Sequence, residues 1–181
     1  MREVKKALRR ELIARRRALD PAEKARADCD IFMQLLPLLS GVSAVFTYVS
    51  TPIEVDTRAL IGRCLESGVP VAVPVSGDEE LSFYYITDVS QLAEGRYGIL
   101  EPADRTRPAA ADERTLCIVP ALCADGEGLR LGYGKGYYDR FLRGFSGRSV
   151  ILCYDDFKRC VPAEPHDVRA DMTIFDRKNG G

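Results

Sequence analysis

Tryptophan is absent from this 181-residue sequence, and histidine occurs once, as His166. A Ser-His-Asp or Cys-His enzyme would depend entirely on that one imidazole, which leaves triad chemistry little to stand on. None of the six cysteines forms a C-x-x-C pair, and several sit inside apolar runs, such as Cys117 in Leu116–Val119 and Cys153 beside Leu152. That pattern points to reduced structural thiols in a cytoplasmic protein rather than to a disulfide framework or a zinc site. No stretch of about 18 apolar residues exists, so no membrane-spanning helix is expected. A secretory signal is not expected either, because the first segment has no apolar centre. Lys and Arg total 26 against 27 Asp and Glu, a net charge of −1, without the basic excess of a nucleic-acid binder.

The charge is unevenly placed. Residues 1–19 carry eight basic and two acidic residues, so the other 162 sum to −7. Val4, Leu8 and Leu12 recur at intervals of four within that segment and predict an amphipathic helix with a basic polar face. Asp20-Pro21-Ala22-Glu23 reads as an N-cap, an N1 proline and an acidic first turn of a second helix running to about Leu36.

The remaining pattern alternates. Strands are expected at Val42–Val49, Val69–Val75, Leu81–Ile86, Thr115–Val119, Ser149–Tyr154 and Met172–Phe175. Helices are expected from Asp56-Thr57 to about Glu66 and over Tyr137–Arg143, while residues 87–114 show few periodic signals. This predicts an α/β fold: one domain over residues 1–176, with a single open, mostly parallel sheet and helices on both faces, and a polar tail at 177–181. In such sheets a ligand site lies beyond the carboxyl ends of the strands.

Five of the fifteen glycines fall between Gly126 and Gly136. Gly132, Gly134 and Gly136 alternate with Tyr133 and Lys135, ahead of the Tyr137 helix, where successive backbone N–H groups suit phosphate oxygens. Arg130 and Lys135 add positive charge, and Asp139 offers a carboxylate suited to Mg²⁺ beside phosphates. The spacing fits neither a Walker A loop nor a Rossmann fingerprint. A plain surface loop is the alternative for the glycines, and a solvated basic face the alternative for Lys5 and Arg9.

The run Arg130-Leu131-Gly132-Tyr133-Gly134-Lys135-Gly136-Tyr137-Tyr138-Asp139 closely resembles the R-x-G-x-G-x-G-Y-Y-D signature of the 5-formyltetrahydrofolate cyclo-ligase family. Lys5-Lys6-Ala7-Leu8-Arg9 is similar to that family's ATP-contacting helix. Thr51-Pro52-Ile53-Glu54-Val55-Asp56-Thr57 looks like its substrate segment, Tyr97-Gly98-Ile99-Leu100-Glu101-Pro102 like its G-I-x-E-P loop, and Val161-Pro162 through His166-Asp167 and Asp171 like its C-terminal segment. Ala124 and Leu100 depart from the family pattern.

The resemblance implies ATP- and Mg²⁺-dependent cyclisation of 5-formyltetrahydrofolate to 5,10-methenyltetrahydrofolate, with release of ADP and phosphate. No protein nucleophile is needed, which suits a chain with one histidine. It further implies that ATP is held by Lys5, Arg9, Arg130, Gly132, Tyr133, Gly134, Lys135, Gly136, Tyr137 and Tyr138. Glu54, with Tyr133, Gly134, Lys135, Gly136 and Tyr137, would meet the folate. Arg130, Lys135 and Tyr137 would serve catalysis, and Asp139 and Asp167 would hold Mg²⁺. Tyr97 or Tyr48 could stack on the pterin, although a core position suits Tyr48 better; His166 reads as structural or as a partner of Asp167. No membrane or nucleic-acid partner is implied, and a monomer is the simplest assembly. Two other readings stay open: an ATP-dependent enzyme acting on another substrate, and a non-catalytic folate- or nucleotide-binding protein.

Overall fold

A computed structural model describes residues 2–178, apart from the side chain of Tyr97. The stacking expectation for Tyr97 and residues 179–181 of the polar tail therefore lie outside the described residues.

Helix α1 (Arg2–Arg17) is built mainly from Ala, Leu, Arg, Lys and Glu, and Arg15–Arg17 sit in the last turn, where cations favour the helix dipole. Asp20 caps α2 (Pro21–Leu35), its Oδ1 accepting from the Ala22 and Glu23 amides at 2.9 and 3.0 Å. One 3₁₀ turn with Pro37 follows. Then come β1 (Ala44–Phe46), α3 (Arg58–Glu66), β2 (Val71–Ser76) and β3 (Leu81–Ile86). A short antiparallel hairpin, β4 (Leu92–Glu94) and β5 (Leu100–Pro102), occupies the stretch that carried few sequence signals. The chain continues through β6 (Thr115–Pro120), the two-residue strands β7 (Cys123–Ala124) and β8 (Arg130–Leu131), α4 (Tyr137–Leu142), β9 (Arg148–Cys153) and β10 (Met172–Phe175).

Six strands form the central sheet in the order β10-β9-β6-β1-β2-β3. The first five run parallel, and β3 returns antiparallel along β2. β6 and β9 are almost entirely buried, so they read as continuous apolar runs rather than alternating ones. The outer strand β3 is only partly buried, at Phe83 and Ile86.

Phe46 of β1 stacks on Phe83 of β3 at 4.7 Å, and Phe83 meets Phe141 of α4 at 4.8 Å. Such contacts add about 0.5–1.5 kcal/mol per pair beyond area burial. They fix α4 against the sheet, and with it the glycine loop that enters α4.

Four thiols, Cys64, Cys117, Cys123 and Cys153, are buried, and burial pushes those of Cys64 and Cys153 up to about 11 and 12. Cys29 and Cys160 are exposed, so the core reading holds for four of the six. No described helix is long and apolar enough to cross a membrane.

Candidate functional site

Beyond the carboxyl ends of β1, β2 and β6 lies a cleft of about 540 Å³. Its floor includes Tyr48 and Val49 after β1, Pro74 and Ser76 of β2, and Pro120 of β6. The four sequence segments singled out above converge on it: α1, the Thr51–Glu54 turn, the Arg130–Asp139 loop and the Glu164–Asp167 turn.

Helix α1 turns an unexpected face inward. Leu12 is buried as its period predicts, but Val4 is 60% exposed, and the other fully covered positions are Lys5 and Arg16. The docking face is therefore partly cationic, and each buried cation has its own set of oxygens. Lys5 Nζ donates to Glu164 Oε2 at 2.7 Å and to Asp167 Oδ2 at 2.9 Å. Burial works against the Lys5 ammonium, yet the hydrogen bonds to the two carboxylates outweigh it and hold its pKa above the ordinary value. Burial likewise works against the Asp167 carboxylate, and Lys5 with the Glu164 amide holds its pKa down.

Arg16 is 2% exposed and has no carboxylate partner among the described residues. Its guanidinium donates to the carbonyls of Ala121 (2.8 Å), Leu122 (3.1 Å) and Ile53 (3.1 Å). Its Cζ lies 5.0 Å from the centre of the Tyr154 ring and 4.7 Å from that of Phe157. The sequence did not mark Arg16, which is the middle member of three consecutive arginines. It fastens α1 to the turn carrying Glu54 and to the segment leading into the glycine loop.

That turn is tightly held. Glu54 is buried, and its Oε2 accepts from the Thr51 amide and hydroxyl at 2.8 and 2.9 Å. Tyr48 donates to the Val55 carbonyl at 3.0 Å, and the Tyr154 hydroxyl lies 3.0 Å from the Glu54 carbonyl. Tyr48 is thus a core tyrosine whose ring borders the cleft. Burial, then the negative charge of Glu54, raise the pKa values of Tyr48 and Tyr133; at Tyr138 burial leads and Glu54 adds to it. The three phenols that share the Glu54 field are therefore protonated at neutral pH.

In the glycine loop, Gly134 has φ +95°, and a Cβ there would stand 2.9 Å from Arg9 Cζ. Arg9 Nε donates to the Gly132 carbonyl at 2.8 Å, so helix and loop are packed at the one position where a side chain would intervene. Gly136, φ +70°, turns the chain into α4, which is only six residues long. Gly132 needs no such conformation.

Arg130 is buried and bridges: Nη1 donates to the Val168 carbonyl at 2.8 Å, and Nη2 to Asp139 Oδ1 at 3.0 Å. The Val168 amide also donates to Asp139 Oδ1, at 3.2 Å. Asp139 is thereby tied to the residue that follows Asp167, and its Oδ2 accepts no hydrogen bond among the described residues. The tight three-ligand cluster is a different one: ligand atoms of Glu164, His166 and Asp167 lie within 4.8 Å of one another. Glu164 carried no role in the sequence reading. His166 is exposed, 3.8 Å from both acids, which suits a partner of Asp167 rather than a core residue. Asp171 is structural, its Oδ2 accepting from the Ser149 amide and hydroxyl. Tyr137 lines the cleft and donates to the Gly77 carbonyl at 2.8 Å, while the Tyr138 hydroxyl is buried with no hydrogen-bond partner among the described residues.

Comparison with known proteins places this geometry. The chain is 30% identical to a 5-formyltetrahydrofolate cyclo-ligase of Mycolicibacterium smegmatis, covering 91% of this chain and 89% of that one. It is 31% identical to one of Escherichia coli over 71% of this chain and 74% of the other. The solved structure of 5,10-methenyltetrahydrofolate synthetase from Aquifex aeolicus superposes with a TM-score of 0.84 at 28% identity, covering 97% of this chain and 91% of that chain. Residues 1–176 match the 5-formyltetrahydrofolate cyclo-ligase family as a whole, and the N-terminal helix, Thr51–Glu54 turn, glycine loop and C-terminal acids that meet in the cleft all lie within that match: the chain belongs to this family.

Proposed function

We propose that this chain converts 5-formyltetrahydrofolate and ATP to 5,10-methenyltetrahydrofolate, ADP and phosphate, with Mg²⁺ bound beside the nucleotide. The observation that carries the reading is the meeting, in one cleft, of two helix cations, a glycine loop, a buried carboxylate and a paired acidic turn.

The residues fit both groups. Lys5, Arg9, Arg130 and Lys135 supply positive charge around the loop of Gly132, Gly134 and Gly136, and the buried Tyr138 hydroxyl beneath them has no hydrogen-bond partner among the described residues. Lys5 and Arg130 are each neutralised by an acid of the same site, so an incoming polyphosphate exchanges one set of anions for another. Asp139 and Asp167 would supply the hard-oxygen donors that Mg²⁺ takes; Glu164 lies within ligand distance of Asp167, and Asp139 is tied to the adjacent Val168 amide. Bound there, the ion would neutralise charge on the phosphate oxygens.

The chemistry asks for positioning and charge neutralisation rather than for a nucleophile. The formyl oxygen attacks the terminal phosphorus of ATP, and ADP departs. The N10 lone pair then attacks the formyl carbon, the carbon–oxygen bond breaks to release phosphate, and N10 gives up its proton. Arg130 and Lys135 stabilise the phosphoryl group in flight, while Tyr133 and Tyr137 border the folate. The Glu54 carboxylate accepts hydrogen bonds from the pterin amino group and ring N–H, a charge-assisted pairing. The test is growth of methenyl absorbance when 5-formyltetrahydrofolate, ATP and Mg²⁺ are mixed with the protein, and its dependence on each of the three. ATP cleavage without methenyl product would move the assignment to another substrate; tight binding of both ligands without turnover would make the chain a binding protein.

A further inference from the structure

Lys5, Arg9, Ile13 and Arg17 follow one another at intervals of four along α1, and all four line the cleft. At about 1.5 Å per residue the series spans about 18 Å. Cations stand at both ends, with an apolar residue between Arg9 and Arg17. The nucleotide reading uses only Lys5 and Arg9. Arg17 is exposed, and among the described residues it makes no hydrogen bond or ion pair. The nearby acids in sequence are already engaged: Glu11 faces Arg15 and Arg159, and Asp20 caps α2. Arg16 holds the Ile53 carbonyl at 3.1 Å, which sets Ile53, the neighbour of Glu54, against the last turns of α1.

A folate whose pterin pairs with Glu54 leaves two parts to be accommodated, an aminobenzoyl ring and a glutamate bearing carboxylates. We infer that Ile13 and Ile53 form the apolar platform for the ring and that Arg17 is the anchor for the glutamyl carboxylates. The cleft then has two anion subsites on one helix, phosphate at the Lys5 end and carboxylate at the Arg17 end. The planar guanidinium presents paired donors that match a carboxylate. Added γ-linked glutamates would bring more negative charge to the same end.

This inference rests on the proposed folate reaction, and the two fail differently. The experiment compares kcat/KM for 5-formyltetrahydrofolate and for 5-formyltetrahydropteroate, which lacks the glutamate, in the full chain and in Arg17→Ala and Arg17→Glu. The full chain should favour the glutamate-bearing substrate about fivefold, the size of a partly exposed ion pair, and added salt should erode the preference. Arg17→Ala should abolish the preference and Arg17→Glu should reverse it. Arg17→Ala should stay close to the parental Tm, since Arg17 makes no side-chain hydrogen bond or ion pair among the described residues, whereas Arg17→Glu should lower it slightly by placing a negative charge in the last turn of α1. Absence of any preference, or a preference that survives both substitutions, overturns the anchor and leaves the activity standing. Turnover of neither substrate by the full chain overturns the activity and the anchor with it.

Discussion

Lys5 and Asp167 form an ion pair at 2.9 Å although 162 positions separate them. With Glu164 they join the first helix of the chain to its last functional turn, on the wall of the cleft.

Replacing Lys5 by Ala should leave Glu164 and Asp167 without their cation and the phosphate end of the cleft net negative. Removing one partner of a buried, hydrogen-bonded pair costs about 2–5 kcal/mol. We expect kcat/KM for ATP to fall by at least about 30-fold, with a smaller change in folate affinity measured in the absence of ATP. Equal losses for both ligands would place Lys5 outside the nucleotide subsite.

The same cluster sets a pH window for stability. The pKa values of Glu164 and Asp167 are lowered from 4.5 and 3.8, so their contribution is complete above those ordinary values and is lost as pH falls through the lowered ones. That of Lys5 is raised from 10.5, so its contribution is complete below the ordinary value and is lost as pH rises through the raised one. Thermal unfolding across pH should show this contribution constant between those limits and declining on both sides. Lys5→Met should shed less stability than the parent as pH drops below 4.5, because the part of the pKa depression of Glu164 and Asp167 that Lys5 supplies is gone.

Arg16→Met should be costly even though it removes no ion pair. Three backbone carbonyls lose their donor, at about 1–3 kcal/mol for each one left unsatisfied and buried. A total of about 3 kcal/mol corresponds to a fall in Tm of about 6–12 °C for a chain of this size. Arg16→Lys keeps the charge but not the fork and should recover only part of the loss.

Asp139→Asn keeps the shape of the side chain and its bond from the Val168 amide, and removes the negative charge. Turnover should drop by more than about 100-fold, the scale of losing a charge-stabilising group at a phosphoryl site. Folate binding, measured by titration without nucleotide, should change less than about twofold. Undiminished turnover would contradict the metal role.

What the sequence disclosed was whatever is local. Gly132, Gly134, Lys135 and Gly136 announce a loop by spacing alone, Asp20-Pro21 announces a helix start, and both stand where expected. The partners of Lys5 were hidden because no local pattern links positions 159 and 162 residues apart. Arg16 was hidden because in a run of three arginines only packing decides which one turns inward. The expected strand Val42–Val49 shrinks to Ala44–Phe46 for a related reason. Residues 47–50 are equally buried, but after the Thr47 amide, which still donates to the Ala72 carbonyl of β2 at 3.0 Å, the chain turns to bonds outside the sheet: the Tyr48 carbonyl accepts from the Thr57 hydroxyl at 2.6 Å, and the Ser50 hydroxyl donates to Asp56 at 2.8 Å. Burial and β-branched residues signal an interior segment, and hydrogen bonding across the fold determines whether it is strand or pocket floor.

The inward-facing cations of α1 also govern the order in which the molecule can be completed. During synthesis α1 leaves the ribosome with Lys5 and Arg16 exposed to water. Arg16 finds its carbonyls once residues 121–122 have emerged, whereas Lys5 waits for Glu164 and Asp167. Assembly of β1, β2, β3, β6 and β9 can proceed in the meantime, whereas the cleft wall closes only by the joining of the most distant segments it contains. Acquisition of activity should therefore lag behind formation of the sheet strands up to β9 during refolding, because the contact that finishes the site carries the largest loop-closure entropy in it.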